Sequence, residues 1–300
     1  MSPAAQRRYD LLAVDIDGTL LDPQGNVPQA NIDAIARARD AGMAVLLCTG
    51  RSWAESRFAI EATGVTHPMV SAGGSMVSDT ATGGTLHRFA MQQDIVGRTV
   101  DLLTDRGLAA LVLKDRSVSE HDYLVVTRNG ATIDPVSTWW FETLGLSYTV
   151  ADSIDDDEHP EWTVRVGACA PSTNTIPIRD ELFGLFGEGV VFHSFPAVVA
   201  PEHVKHDGAG GLYHVVEAFD PSAHKWSGIE GVCGELGIDP TRTVCVGDEI
   251  NDLTMIERAG LGIAMGNATD EVKRLAGRQT LSNAESGLAH AIDRVLAGRW

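Results

Sequence analysis

Three short apolar segments of the chain each end in a polar residue, with a glycine or another turn-forming residue close by. They are Leu11 to Val14 before Asp15, Ala44 to Cys48 before Thr49, and Thr243 to Val246 before Gly247 and Asp248. Continuous rather than alternating apolarity is typical of strands that are buried on both faces of a parallel sheet. Because open α/β sheets bind ligands at the carboxyl ends of their strands, we expect the three polar ends to meet at one crevice.

The segments between these strands predict helices, and the middle of the chain predicts a second domain. Residues Pro28 to Asp40 have apolar side chains at helical spacing, and Gly42 follows as a typical residue after a helix end. From about Gly83 to Phe219, short strands and helices alternate with loops, which indicates an α+β insertion. The acidic run 155–158 in this region is expected to be a solvated loop. The predicted fold class is therefore α/β, with a doubly wound parallel-sheet core (residues 1–83 and 218–300) and an inserted α+β domain (residues 84–217).

The charge balance excludes several classes of partner. Acidic residues outnumber basic residues 41 to 23, which gives a formal net charge of −18. Such a surface repels the phosphates of nucleic acids and anionic lipid headgroups, so we expect neither a nucleic acid nor a membrane as partner. The polar N-terminus lacks the apolar segment of a secretory signal, the apolar runs are too short to span a bilayer, and the scattered cysteines favour a reducing compartment. We therefore expect a cytoplasmic protein.

Two acidic motifs follow predicted strands. In Asp15-Ile16-Asp17-Gly18-Thr19-Leu20, two carboxylates lie two residues apart beside a tight turn, which is unfavourable unless a cation neutralises them. In the segment 247–252, Asp248 and Asp252 are four residues apart and fall on one side of a helix start. Together the motifs offer the hard oxygen ligands that Mg²⁺ prefers. The alternatives are a charged turn and an acidic helix start favoured by the helix dipole.

A third motif, Thr49-Gly50-Arg51, ends the second strand. Its hydroxyl and backbone N–H groups are suited to holding phosphoryl oxygens. The signal is weak alone, because many turns between a strand and a helix contain Thr-Gly.

These motifs resemble the haloacid dehalogenase (HAD) superfamily, and within it the Cof-like sugar-phosphatase type with a C2 cap. The segments 15–20, 47–51 and 247–252 are similar to the first, second and fourth superfamily motifs, and 264–268 and 282–287 also resemble that type. The resemblance implies a Rossmann-like core with an inserted cap. For the lysine of the third motif it implies Lys225, which lies 23 residues before Asp248, rather than Lys205.

Two segments depart from the pattern of this type. His224-Lys225-Trp226 replaces the commoner Ser-Lys-Gly, and Ser71-Ala72-Gly73-Gly74 lies where many relatives have an Asn-Gly pair.

The resemblance also implies a role for each motif residue in the Mg²⁺-dependent hydrolysis of a phosphate ester of a small metabolite. Asp15 is the nucleophile that becomes an aspartyl phosphate, Asp17 is the general acid and base, and Thr49 and Lys225 hold phosphoryl oxygens. Substrate contacts are expected from Gly50, Arg51 and Asn251. Mg²⁺ is expected at Asp15, Asp17 (through its backbone carbonyl), Asp248 and Asp252.

Several alternatives remain open at this point. A sugar phosphomutase shares the nucleophile and the acid/base pair, and a non-catalytic phosphate-binding module is a further possibility on the same scaffold. The histidines His203, His206 and His214 are either a second metal site, substrate contacts or part of a solvated loop. The segment Trp139-Trp140-Phe141 either stacks on a sugar or packs internally, and Cys48 is expected to be a buried apolar side chain.

Overall fold

The computed structural model describes residues 8–197 and 212–300, which form two compact units. The core unit comprises the chain up to His87 and from His224 onward, and the inserted unit runs from Arg88 to Ala223. Both boundaries lie a few residues later than the sequence-based boundaries at 83/84 and 217/218. The shift has a structural reason, because Thr85–Arg88 is still a strand of the core sheet and Tyr213–Phe219 is a strand of the other sheet.

The strands and helices are numbered along the described residues. The strands are β1 (Leu11–Asp15), β2 (Ala44–Cys48), β3 (Met69–Ser71), β4 (Met76–Ser78), β5 (Thr85–Arg88), β6 (Ala110–Lys114), β7 (Tyr123–Val126), β8 (Tyr148–Ala151), β9 (Thr163–Pro171), β10 (Val191–Pro196), β11 (Tyr213–Phe219), β12 (Thr243–Gly247), β13 (Leu261–Ala264) and β14 (Arg278–Gln279). The helices are α1 (Gln29–Asp40), α2 (Trp53–Thr63), α3 (Gln93–Asp105), α4 (Pro135–Leu144), α5 (Ser172–Phe186), α6 (Lys225–Leu236), α7 (Leu253–Arg258), α8 (Asp270–Leu275) and α9 (Gly287–Leu296).

The core unit is built on an eight-stranded sheet in the order β14-β13-β12-β1-β2-β3-β4-β5. Neighbouring strands from β14 to β3 are parallel, and β4 is antiparallel to β3. Every residue of β1, β2 and β12 is buried. Because successive side chains point to opposite faces of a sheet, full burial means that both faces are covered. The predicted α/β fold class, a parallel-sheet core with an inserted α+β domain, is confirmed.

Local sequence signals set the limits of helices α1 and α2 in the core unit. Helix α1 follows Pro28, and Gly42 beyond its end has a φ of 82°, a left-handed conformation that glycine adopts at little cost. Helix α2 begins with a capping box, in which Ser52 and Glu55 each accept a hydrogen bond from the other's backbone N–H. These caps fix where the strand-to-helix turns lie.

The inserted unit is an α+β layer with its own core. Its six-stranded sheet has the order β10-β11-β9-β6-β7-β8, with antiparallel neighbours except for the parallel pair of β7 and β8. Apolar side chains such as Val112, Val166 and Val216 lie on one face of this sheet and pack against Val100 of α3 and Leu182 of α5. The described residues contain no helix with the length and apolar content that a bilayer crossing requires.

Two other sequence expectations concern this unit. The acidic run 155–158 was expected to be a solvated loop, but Asp157 is nearly buried and its carboxylate lies 2.6 Å from Nζ of the buried Lys114. The expectation of a solvated loop is therefore wrong for Asp157, because this residue is the counterion of a buried lysine. His203 and His206 lie outside the described residues, as does Lys205.

Candidate active site

Three polar strand ends are neighbours in the core sheet. Asp15 is the last residue of β1, which lies between β2 and β12, and these strands lead directly into Thr49 and Asp248. A turn over Ile16–Leu20 follows β1 and contains Gly18 with a φ of 77°. The expected convergence of the strand ends is therefore present.

Lys225 joins two of the carboxylates at this edge. Its Nζ donates to Oδ1 of Asp15 at 2.7 Å and to Oδ1 of Asp252 at 2.6 Å, and all three side chains are almost fully buried. Burial by itself would lower the pKa of Lys225, but the two carboxylates outweigh it and raise that pKa above its usual value. The lysine is therefore a fixed positive charge beside Asp15.

One ammonium group does not balance the negative charge of this cluster. Carboxylate oxygens of Asp15, Asp248 and Asp252 all lie within 4.8 Å of one another. Burial, and next the charge of Asp252, raise the pKa of Asp15 well above its usual value and that of Asp248 to about 7. The cluster therefore carries an excess of negative charge that a cation would relieve.

The donor set fits a divalent cation. Oδ2 of Asp15 is buried and accepts no hydrogen bond from the residues that the structure describes. A buried carboxylate oxygen without a donor is costly, and an oxygen-seeking cation is one partner that satisfies it. By contrast, both oxygens of Asp252 are engaged, because Oδ2 accepts from the backbone N–H groups of Asp248 and Glu249. Of the three carboxylates, Asp15 is thus the one with an oxygen that no described donor occupies.

The side chain of Asp248 is held in place by contacts across the turn. Oγ1 of Thr19 donates to its Oδ1 at 3.0 Å, and Nδ2 of Asn267 donates to its Oδ2 at 3.2 Å. A Cβ atom at Gly18 would lie only 2.1 Å from Oδ2 of Asp248, so any side chain at position 18 would displace this carboxylate. The glycine of the first motif is therefore required by close approach as well as by its φ.

The positioning role of Asn267 was missed from the sequence, where its segment was noted only as typical of the family type. Its Nδ2 also donates to the backbone carbonyl of Gly18, and its Oδ1 accepts from the N–H of Asn283. Asn283 in turn donates to the carbonyl of Leu21. The two segments that the resemblance singled out thus bind the turn after β1 to the loop after β12.

The predicted phosphate-binding residues border the same cluster. Thr49 is fully buried, and its Oγ1 accepts from the N–H of Arg51 at 3.1 Å. A Cβ atom at Gly50 would lie 3.6 Å from Nδ2 of Asn251, whose Oδ1 lies 3.4 Å from Nζ of Lys225. Asp17 lies farther along the turn and forms a bidentate ion pair with Arg51.

The two departures from the family type have local explanations. Nδ1 of His224 accepts a hydrogen bond from the N–H of Ser227, so this histidine caps helix α6 where a serine is commoner. A Cβ atom at Gly74 would lie 2.1 Å from the carbonyl carbon of His224, so the loop 71–74 passes tightly against the start of that helix. The cap and the close approach of the loop both fix the position of the N-terminal end of α6, which carries Lys225.

Two of the remaining candidates, Cys48 and Phe141, pack inside the protein. Cys48 is buried, and burial raises the pKa of its thiol, so it is not a nucleophile under ordinary conditions. The ring of Phe141 is buried and packs against Tyr123 and Tyr148 at 4.9 and 5.0 Å between centroids. For Phe141 the packing interpretation is therefore correct.

Comparison with known proteins identifies the family. A model of the haloacid dehalogenase-like hydrolase family matches residues 12–156 and 206–292, which is most of the chain. The chain belongs to this family. The predicted superfamily membership and the predicted enzyme class, a phosphatase, are therefore confirmed.

Curated relatives and solved structures match over nearly the whole chain. The chain is 27% identical to 5-amino-6-(5-phospho-D-ribitylamino)uracil phosphatase YitU of Bacillus subtilis, over 93% of this chain and 94% of the relative. It is 26% identical to pyridoxal phosphate phosphatase YbhA of Escherichia coli, over 94% and 97%. Its fold is similar to a haloacid dehalogenase-like hydrolase from Bacteroides thetaiotaomicron (TM-score 0.75, 21% identity, 96% and 99% covered). It is also similar to the HAD subclass IIB sugar phosphatase BT4131 (TM-score 0.73, 19% identity, 95% and 98% covered).

Proposed function

We propose that this protein is a Mg²⁺-dependent phosphatase that hydrolyses phosphate monoesters of small metabolites through an aspartyl phosphate at Asp15. The observation that carries the proposal is the buried Oδ2 of Asp15, which accepts no hydrogen bond from any described residue and lies next to Lys225 and Asp248. The names of two relatives, which contain a phosphorylated ribitylaminouracil and pyridoxal phosphate, favour small phosphorylated substrates.

In the first half of the reaction, a carboxylate oxygen of Asp15 attacks phosphorus and the bond from phosphorus to the ester oxygen breaks. Asp17 gives its proton to the leaving alkoxide. Thr49, Lys225 and the N–H of Gly50 hold the equatorial phosphoryl oxygens, where charge must be stabilised in phosphoryl transfer. Asn251 supports the same group through its amide.

In the second half, Asp17 takes a proton from water as the water oxygen attacks phosphorus. The bond from phosphorus to Asp15 breaks, which releases inorganic phosphate and restores the carboxylate. Asp15, the backbone carbonyl of Asp17 and Asp248 would hold Mg²⁺, which would supply positive charge to offset the negative charge of the phosphate dianion. Asp252 fixes Lys225 and the loop that carries Asp248.

A phosphate-release screen over sugar, nucleotide and cofactor phosphates, with and without Mg²⁺, tests the proposal. We expect metal-dependent release of phosphate from at least one class. A phosphomutase would instead yield an isomeric sugar phosphate with little free phosphate. A non-catalytic binding module would leave every substrate unchanged, including 4-nitrophenyl phosphate.

We expect Asp17→Asn to lower kcat for an alkyl phosphate by about 10²–10⁴-fold, the usual contribution of a general acid and base. The amide can neither donate an acidic proton to the alkoxide nor activate water. Steady-state kinetics at saturating Mg²⁺ measure the loss, with the exposed Asp33→Asn of α1 as matched control. A loss of less than about tenfold would remove the acid/base role from Asp17.

We expect the metal-free protein to become less stable as pH rises from about 5 to about 8. The folded state holds the pKa of Asp248 at about 7, above its ordinary value, so the folded state binds more protons than the unfolded state in this range. The excess stability is present at low pH and is lost as the carboxyl ionises. Thermal unfolding in EDTA at several pH values measures this decline.

Adding Mg²⁺ should oppose the decline, because the cation binds the ionised carboxylates of the folded state. We expect the melting temperature to rise by several degrees at pH 8 and by less at pH 5. Asp248→Asn should weaken both the pH dependence and the Mg²⁺ effect, whereas Asp33→Asn should change neither. Equal stabilisation of wild type and Asp248→Asn would exclude Asp248 as a ligand.

A further inference from the structure

The side chain of Arg51 forms a bidentate ion pair with Asp17. Its Nε donates to Oδ2 of Asp17 at 2.7 Å, and its Nη2 donates to Oδ1 at 2.6 Å. Two parallel hydrogen bonds fix both the position of a carboxylate and the plane in which it lies. The fork of the guanidinium thus faces the proposed general acid.

Several contacts hold Arg51 itself. Its guanidinium lies over the ring of Phe58, 5.5 Å from the centroid, and its side chain is only 10% exposed, whereas that of Asp17 is 41% exposed. The backbone N–H of Arg51 donates to Oγ1 of Thr49. The arginine is therefore the anchored partner, and Asp17, which lies on a turn and is partly exposed, is the partner that gains order from the pair.

We propose that Arg51 is a positioning residue that acts through Asp17, in place of the substrate contact predicted from the sequence. It orients the carboxyl group of Asp17 for transfer of its proton to the leaving oxygen. When Asp17 takes up a proton, the hydrogen bond from Arg51 to the protonated oxygen is given up, and the remaining hydrogen bond from Arg51 keeps the carboxyl group oriented. This inference rests on the proposed function, in which Asp17 is the general acid.

The role predicts a dependence on the leaving group. An alkoxide is strongly basic, so it needs a proton as its bond to phosphorus breaks, whereas 4-nitrophenolate is a weak base and leaves without one. The ratio kcat/KM reports the first phosphoryl transfer and excludes the later hydrolysis of the aspartyl phosphate. Loss of Arg51 should therefore lower kcat/KM for an alkyl phosphate far more than for 4-nitrophenyl phosphate.

The experiment compares Arg51→Met and Arg51→Lys with wild type on both substrates, the alkyl phosphate being the best substrate of the screen. We expect Arg51→Met to lower kcat/KM about 10²-fold for the alkyl phosphate and less than about fivefold for 4-nitrophenyl phosphate. Arg51→Lys keeps the positive charge but not the two parallel N–H donors of the guanidinium. It should therefore restore only a small part of the kcat/KM that Arg51→Met loses. Arg57→Met, on the exposed side of α2, is the matched control and should leave both values unchanged.

A double-mutant cycle tests whether Arg51 acts through Asp17. In an Asp17→Asn background, Arg51→Met should change kcat/KM for the alkyl phosphate by less than about threefold, because the group that it positions is already gone. The inhibition constant of inorganic phosphate should stay within about threefold of wild type in Arg51→Met, since that arginine does not hold the phosphoryl group in this role.

Equal losses on the two substrates, together with weaker inhibition by phosphate, would overturn the inference and make Arg51 a phosphate ligand. Unchanged kinetics of Arg51→Met would also overturn it. Failure of the proposed function is a different result, because wild type itself would then release no phosphate from either substrate.

Discussion

Asp15→Asn is expected to abolish turnover, with a fall in kcat of about 10⁴-fold or more. The amide oxygen of asparagine is a poor nucleophile, so the aspartyl phosphate cannot form, and no other described carboxylate takes the place of Asp15 at the end of β1. Acid quenching during turnover of a radiolabelled substrate should leave labelled phosphate on the wild-type chain and none on the variant.

The substitution should spare the fold, which separates chemistry from stability. Asparagine has nearly the same shape, and it removes one of the carboxylates that compete for the single ammonium group of Lys225. In EDTA, the melting temperature of Asp15→Asn should therefore equal or exceed that of wild type, and Asp33→Asn should keep wild-type kcat. A kcat within tenfold of wild type would end the assignment of Asp15 as nucleophile.

The strand ends could be predicted from the sequence because their signal is local. A buried parallel strand needs a continuous apolar run, and a carboxylate at its end is conspicuous against that run. The limits of β2 and the end of α1 agree with the sequence-based limits, and Gly42 follows α1 as expected. Asp15 and Asp248 come together because β1 and β12 are neighbours in a parallel sheet, and Lys225 reaches Asp15 from the start of helix α6.

Contacts between distant loops could not be predicted in this way. The bridge from Asn267 to Gly18 and Asp248, and the ion pair of Asp17 with Arg51, depend on the mutual placement of several turns. Hydrophobic patterning does not encode such placement, and polar residues in loops carry no periodic signal. The sequence therefore indicated the proposed reacting groups better than the residues that contact and orient them.

The sequence-based prediction of the inserted unit was incomplete. Helix α4 and strand β8 were not predicted, although Asp134 caps α4, Pro135 starts it and Gly145 follows it in a left-handed conformation. These are ordinary signals of helix ends, but the aromatic cluster of α4 was considered only as a packing or stacking surface. Strand β8 is mostly exposed, so it lacks the apolar run that revealed the core strands.

Lys225→Met should both destabilise the protein and reduce its activity. The substitution leaves Asp15 and Asp252 buried without their counterion, and breaking a buried ion pair from one side costs about 3–5 kcal/mol. Urea unfolding in EDTA at pH 8 measures this loss. At saturating Mg²⁺, kcat of the folded variant should fall by about 10²–10³-fold, since a preorganised donor to the phosphoryl oxygens is lost.

The same electrostatic argument predicts a rescue, and the rescue distinguishes unpaired charge from lost packing. If the excess negative charge causes the instability, then adding Asp15→Asn to Lys225→Met removes one unpaired carboxylate and should recover about 1 kcal/mol or more. A cavity left by the lysine would give no such recovery.

The matched control is Lys273→Met on α8. This lysine is only partly buried, so its substitution should change the free energy of unfolding by less than about 0.5 kcal/mol. A loss below about 1 kcal/mol in Lys225→Met would mean that the cluster does not depend on this ammonium, and the site would then need another source of positive charge.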